Sequence, residues 1–196
     1  MVVRGFERAG GLEGFLARLE AFHGFRAPGV VLGGFMVDLA AERMKDHERV
    51  DAVVETAKCL VDAVQLLTPC TVGNGWVKVI NGGRFAVTLY DKETREGVRV
   101  FLDHSRLGGF PEIAKWFFRK VSKREQPLEV LNGEIVRAGR SVLAEERVRL
   151  RGESGVRSHA PKPRICTKCG EAHRGEDPEV CDLCRNPYYE VLPQRA

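Results

Sequence analysis

Apolar residues recur every three or four positions along residues 12–23, where Leu12, Phe15, Leu16, Leu19 and Phe22 define one face of an amphipathic helix. Gly24 and Pro28 interrupt it. Pro28, tolerated at a helix start, opens a second and more apolar helix whose buried face is Val31, Leu32, Phe35, Met36, Leu39 and Ala40. The Gly33-Gly34 pair in its middle predicts either close approach of another backbone or ligand, or tight helix packing. Residues 50–56, VDAVVET, are short and β-branched and read as a strand leading into Cys59. The next stretch, CLVDAVQLLTPCTVGNG over 59–75, carries Val61, Ala63, Val64, Leu66 and Leu67 too densely for a surface helix, so it reads as a short buried one ended by Thr68 and Pro69.

Residues 76–80 and 84–90 alternate as strands, and Asn81-Gly82-Gly83 between them predicts a hairpin, because Asn and Gly accept positive φ. With 97–102 they would form a three-stranded antiparallel meander able to pair with 50–56. Residues 111–121 place Ile113, Trp116, Phe117 and Val121 along one helical side. Over 127–143 the spacing of Leu128, Leu131, Ile135, Ala138 and Val142 favours a helix against a competing Asn132-Gly133 turn. Residues 147–151 alternate Arg with apolar residues as an edge strand does. The predicted fold class is α+β: a mixed or antiparallel sheet packed on helices over 1–151, a Gly/Ser/Pro-bearing linker over 152–163, and a small zinc finger over 164–196.

The composition, 43% hydrophobic and 30% charged over 196 residues, is that of an ordinary globular protein. No apolar run is long enough for a membrane span, and residues 1–20 lack the layout of a secretory signal, which places the chain in the cytoplasm. The net charge of +4 is gathered in two groups, one at Lys115, Arg119, Lys120, Lys123 and Arg124, the other from Arg147 to Arg164. Such groups meet phosphate or an acidic partner in some proteins and are solvated faces in most.

Six cysteines in a cytoplasmic chain point to metal or redox chemistry rather than to a disulfide framework. Cys166, Cys169, Cys181 and Cys184 form two CxxC knuckles separated by eleven residues, the spacing that lets four thiolates close on one structural Zn²⁺. Four cysteines leave no coordination position for substrate, and His173 nearby is not needed as a ligand. From Lys162 to Ala196 there are six Lys/Arg and six Asp/Glu, a balance that argues against nucleic-acid binding by the finger and for protein contact. Of the other two cysteines, Cys59 would gain thiolate character if it sits in the first turn of its helix, whereas the plain reading of Cys59 and Cys70 is two core residues. His23 ends the first helix at the edge of its apolar face, where a histidine serves either as a hydrogen-bonded structural residue or as a ligand.

Taken in order, FHGFRAPGVVLGGFMVDLA, VETAKCLVDAVQLLTPCTVGNG and the terminal CTKCGE with CDLC resemble the FmdE-like family, named for the FmdE component of formylmethanofuran dehydrogenase, over roughly residues 20–185. The resemblance implies an α+β core with a metal-binding active site, a small zinc finger in some members, and a link to methanofuran and to molybdenum or tungsten enzymes, in which that component is an accessory. The first family motif reads His-Gly-His, a variable residue, Cys-Pro-Gly; here it is His23-Gly24-Phe25-Arg26-Ala27-Pro28-Gly29, and the lysine of the glycine loop is Asn74. His23 and Cys59 are then the surviving candidate ligands or catalytic residues, with Cys70 and His104, beside Asp103, as further donors. Two protein ligands seldom hold zinc tightly, so the resemblance implies a weakened, differently completed or lost core site.

Three functional classes follow. The first is a metal-binding accessory protein with a structural zinc finger and a degenerate core site, docking on a protein partner, a second copy of itself or a molybdenum or tungsten enzyme. The second is a redox or one-carbon enzyme using Cys59 and His23 as ligand or nucleophile. The third is a zinc-finger regulator that meets nucleic acid through its basic segments.

Overall fold

In the computed structural model, which describes residues 4–122, 124–151 and 162–187, the chain divides into two units, Met1–Gly152 and Glu153–Ala196. In the first unit α1 (Gly11–His23) and α2 (Pro28–Arg43) follow a short 3₁₀ turn at Gly5–Ala9. Pro28 occupies the first turn of α2, where the missing N–H costs nothing, and Gly24 at φ 89° stops α1. Helix α2 is apolar nearly all round and is correspondingly buried, packing against α1, α5 (Leu128–Ala138) and the short α3 (Leu60–Leu67). Its paired glycines face helix packing, not a ligand. A Cβ on Gly33 would lie 2.8 Å from Leu60 Cδ1, and one on Gly34 would overlap a ring carbon of the fully buried Phe15.

The sheet has five strands in the order β2-β1-β3-β4-β5: β1 (Val50–Val54), β2 (Val77–Val79), β3 (Ala86–Asp91), β4 (Glu96–Leu102) and β5 (Leu143–Arg149). Period-2 alternation sends Ala52, Val54, Val87, Leu89, Val98 and Val100 into the core shared with α2. The other sheet face carries a charged cluster in which Arg99 donates to Glu55 at 2.5 and 3.0 Å and to Glu146 at 2.8 Å, tying β1, β4 and β5 together. Hydrogen bonds from Arg99 lower the pKa of Glu55 against the opposing effect of burial.

The antiparallel meander expected from the sequence is corrected by this order. β3 and β4 do form a hairpin, but β2 and β3 do not pair through Asn81-Gly82-Gly83. Instead β2 runs parallel to β1, with Ala52 opposite Val77, and β1 lies between β2 and β3. Ile80 N–H donates to Val54 O at 2.8 Å and Glu55 N–H to Ala86 O at 3.0 Å, so 81–85 passes round the end of β1. The physical reason is burial: all five residues of β1 are buried, and a strand so covered is stable when both edges have partners.

Two helix ends also differ from the sequence expectation. α5 includes Asn132 and Gly133 without a turn and ends at Gly139, and β5 begins at Leu143 rather than at 147. α4 (Pro111–Phe117) is stopped at Arg119, whose φ is 51°. The Arg119 amide donates to Trp116 O at 3.2 Å and the Lys120 amide to Lys115 O at 2.9 Å, the paired bonds of a Schellman cap, so Val121 lies beyond the helix.

The second unit, described from Lys162 to Pro187, is a two-strand ribbon of β6 (Arg164–Ile165) and β7 (Ala172–His173) followed by the single turn of α6 (Asp182–Arg185). Residues 152–161 of the expected linker and 188–196 of the expected finger lie outside the described residues.

Replacing Gly34 with Ala drives a methyl into the Phe15 ring, and chemical denaturation of Gly34→Ala is expected to show a loss of about 1–3 kcal/mol, as overpacking of a dense core does.

Candidate metal centre and core cavity

In the C-terminal unit, β6 delivers Cys166 to a tight turn closed by Gly170 N–H donating to Cys166 O at 2.9 Å, which brings Cys169 round to the same side. Thr167 N–H donates to Glu179 O at 2.9 Å, and this contact across the loop carries Cys181 and Cys184 to the first knuckle. The four sulfurs all lie within 4.8 Å of one another, with Cys169 and Cys181 at 3.9 Å. Backbone amides point at them: Cys181 N–H approaches Cys166 Sγ at 3.4 Å, and Cys184 N–H approaches Cys181 Sγ at 3.3 Å. Amide donors from Cys181 and Cys169 pull the Cys166 thiol down to about 6, whereas Cys184, hydrogen-bonded to Cys181 and then Cys169, is pushed up to about 12. The two shifts oppose each other because one thiolate makes the next harder to form; a cation among the sulfurs removes that conflict. His173 accepts from Gly175 N–H through Nδ1 at 3.3 Å and stays outside the sulfur group.

In the core, His23 and Cys59 have different surroundings. His23 closes α1, and its Nδ1 lies 2.6 Å from Asp62 Oδ2 in the first turn of α3, the imidazole donating to the carboxylate. Cys59 is the N-cap residue of α3. Its side chain packs on the start of α2, where a Cβ on Gly29 would be 2.8 Å from Cys59 Cβ and 3.1 Å from its Sγ. Cys59 also lines a cavity of about 610 Å³ that His23 does not line. Among the described residues, no group of three or more His, Cys, Asp or Glu ligand atoms comes together apart from the four C-terminal cysteines. His104 is exposed in the 3₁₀ turn His104–Gly109, outside that group.

Cys70 is a core residue. It is fully buried, its thiol donates to Val50 O at 3.2 Å, and burial pushes its pKa up to about 11. Asn74 organises the glycine loop: its Oδ1 accepts from the Thr71 and Trp76 amides at 3.0 Å each, and its Nδ2 donates to Pro69 O at 2.9 Å. The basic groups are partly compensated, Lys115 by Glu112 at 2.7 Å and both Arg147 and Arg149 by Glu96. Sequence reasoning missed the cavity, whose wall is Phe85, Trp116, Phe117 and Arg119 beside Cys59. The signal available was the Trp-Phe-Phe-Arg run at 116–119, read only as an amphipathic helix side.

An α+β core joined in sequence to a small unit with four convergent thiols defines a metal-binding protein class. Residues 22–150 match the family described as FmdE, Molybdenum formylmethanofuran dehydrogenase operon, and the chain belongs to that family. Among solved structures it is similar to an FmdE-like protein of tungsten formylmethanofuran dehydrogenase from Syntrophus aciditrophicus, with 43% identity and a TM-score of 0.85 over 97% of this chain and 100% of that one. It is also 31% identical over 198 residues to a probable S-adenosyl-L-methionine-binding protein of Archaeoglobus fulgidus, the match taking in 90% of this chain and 54% of that protein. The chain thus spans about half the length of that curated relative. No helix among the described residues is long and apolar enough to cross a membrane.

Burial of Cys70 has a direct chemical consequence: iodoacetamide at pH 8 is expected to leave Cys70 unmodified in the folded chain and to label it fully in denaturant, as read by peptide mass mapping.

Proposed function

We propose that this chain is an FmdE-like accessory protein whose C-terminal unit is closed by a structural Zn²⁺ on Cys166, Cys169, Cys181 and Cys184, and whose core site is degenerate. The observation that carries the reading is the convergence of the four sulfurs within 4.8 Å. The 3.9 Å between Cys169 and Cys181 is close to the roughly 3.8 Å edge of a sulfur tetrahedron with Zn–S near 2.3 Å. Zinc would supply folding energy, on the order of 10–16 kcal/mol of apparent binding in small fingers, to a unit with little apolar core of its own. Four thiolates fill its coordination and leave it no catalytic position.

Degeneracy of the core is supported by Phe25 and Ala27 standing where the family motif has His and Cys, and by Asp62 holding His23. The unit boundary near Gly152 supports the organisation proposed here: a core over 1–151, a linker over 152–163 and a finger over 164–196. Family membership supports a place beside a molybdenum or tungsten enzyme of formylmethanofuran chemistry, the finger serving stability or docking there in the cytoplasm.

Elemental analysis of the purified full chain is expected to return about one zinc per chain, and Cys169→Ser with Cys181→Ser to abolish it. Two tightly held metals, one lost on His23→Ala or Cys59→Ala, would overturn the degenerate-core reading.

A second reading, an enzyme using Cys59 as nucleophile or ligand near His23, is favoured by the place of Cys59 on the cavity wall. Under that reading Cys59 is alkylated at neutral pH far faster than Cys70; equal inertness of the two excludes the nucleophile.

A further inference from the structure

The cavity beside Cys59 has a composition that the metal reading does not use. Three rings form one continuous wall: Phe85 meets Trp116 edge to face with centroids 5.9 Å apart, and Trp116 meets Phe117 at 6.3 Å. Two cationic side chains, Lys58 and Arg119, line the same space, and no carboxylate does. Among the described residues neither cation has a carboxylate partner, whereas Lys115, on the same helix as Trp116, is paired with Glu112. Glu112 is further engaged by Gln126 Nε2 at 3.0 Å, so that acid is already satisfied. At about 610 Å³ the space is of the size that holds small-molecule ligands.

Arg119 carries the argument further. It occupies the left-handed position of the Schellman cap on α4, at φ 51°, where glycine is the favoured residue because a Cβ there is strained. Glycine would terminate α4 equally well and with less strain, so helix termination does not explain an arginine. What arginine adds is a planar, permanently charged fork at the cavity mouth, beside Trp116 and across from Lys58 at the start of α3. Strained residues of this kind persist where a ligand uses them.

We propose that this cavity binds a small molecule bearing a flat aromatic ring and an anionic group, with the ring on Trp116 and the acid held by Arg119 and Lys58. The inference goes beyond the zinc reading and uses no core metal. A second metal in the core would sink the degenerate-site reading and leave this one to its own test.

Calorimetric titration of the full, zinc-replete chain compares two ring acids, adenosine monophosphate and 4-hydroxybenzoate, with their neutral counterparts adenosine and 4-hydroxybenzamide, and with inorganic phosphate. At least one ring acid is expected to bind about tenfold or more tightly than its neutral counterpart and than phosphate, as charge-assisted contacts to a guanidinium provide. Arg119→Gly is expected to weaken that binding about tenfold without lowering the melting temperature, because glycine suits the cap, and Lys58→Ala to weaken it several-fold. Which acid responds distinguishes a phosphate-bearing from a carboxylate-bearing ligand. The proposal is overturned if neither acid outbinds its neutral counterpart, if Arg119→Gly leaves binding unchanged, or if Arg119→Gly lowers the melting temperature, which would make Arg119 a residue of the fold.

Discussion

The core of this protein depends on how closely α2 can lie on α3. Gly29 and Gly33 present bare backbone to Cys59, Leu60 and Ala63, and a Cβ at either glycine would come within 2.8 Å of a side-chain carbon there. This contact seats Leu60, Ala63, Val64 and Leu67 against the sheet-facing helix and holds Cys59 at the start of α3, with its side chain on the first turn of α2. The cavity edge, the parallel entry of β2 after α3, and the buried thiol of Cys70 at the end of the same segment all follow from it. The short crossover β1-α3-β2 is kept in register by Asn74, which supplies three hydrogen bonds to a loop that has little apolar anchorage.

The C-terminal unit is built on the opposite principle. Its described strands are two residues long and mostly exposed, and Ile165 and Leu183 face solvent. Burial therefore supplies little of its stability, and the convergence of four sulfurs stands in for an apolar core. The opposing pKa directions of Cys166 and Cys184 express the same fact electrostatically, since four thiols this close resist shared ionisation unless a cation is among them. One chain thus combines a domain held by packing with one whose geometry calls for a metal.

Chemistry in the core has been redistributed rather than simply erased. His23 is bonded to Asp62, and Cys59 faces a cavity whose remaining wall is aromatic and cationic. A surface of that kind recognises through rings and charge, which requires no ion, and it places the strained Arg119 where its guanidinium has a use. The arrangement separates two roles, fold stabilisation by the cysteine cluster and recognition by the core, in different parts of the sequence.

Local pattern in the sequence determined a large part of this. The amphipathic spacing of Leu12 to Phe22 and the apolar run from Pro28 specified α1 and α2, Gly24 marked the end of α1, and the two CxxC knuckles specified the sulfur cluster, because each depends on residues close in the chain. The family motif around Cys59 was legible for the same reason. Strand order was not, because Asn81-Gly82-Gly83 carries a hairpin signal whichever strand its neighbours pair with, and only the burial of β1 on both edges decides that β2 lies parallel to it. Nor was it legible that Cys70 is inert, that His23 meets Asp62, or that Arg119 joins Lys58 and Trp116 at one cavity. Those outcomes rest on contacts between residues far apart in sequence, which tertiary packing alone brings within a few ångströms.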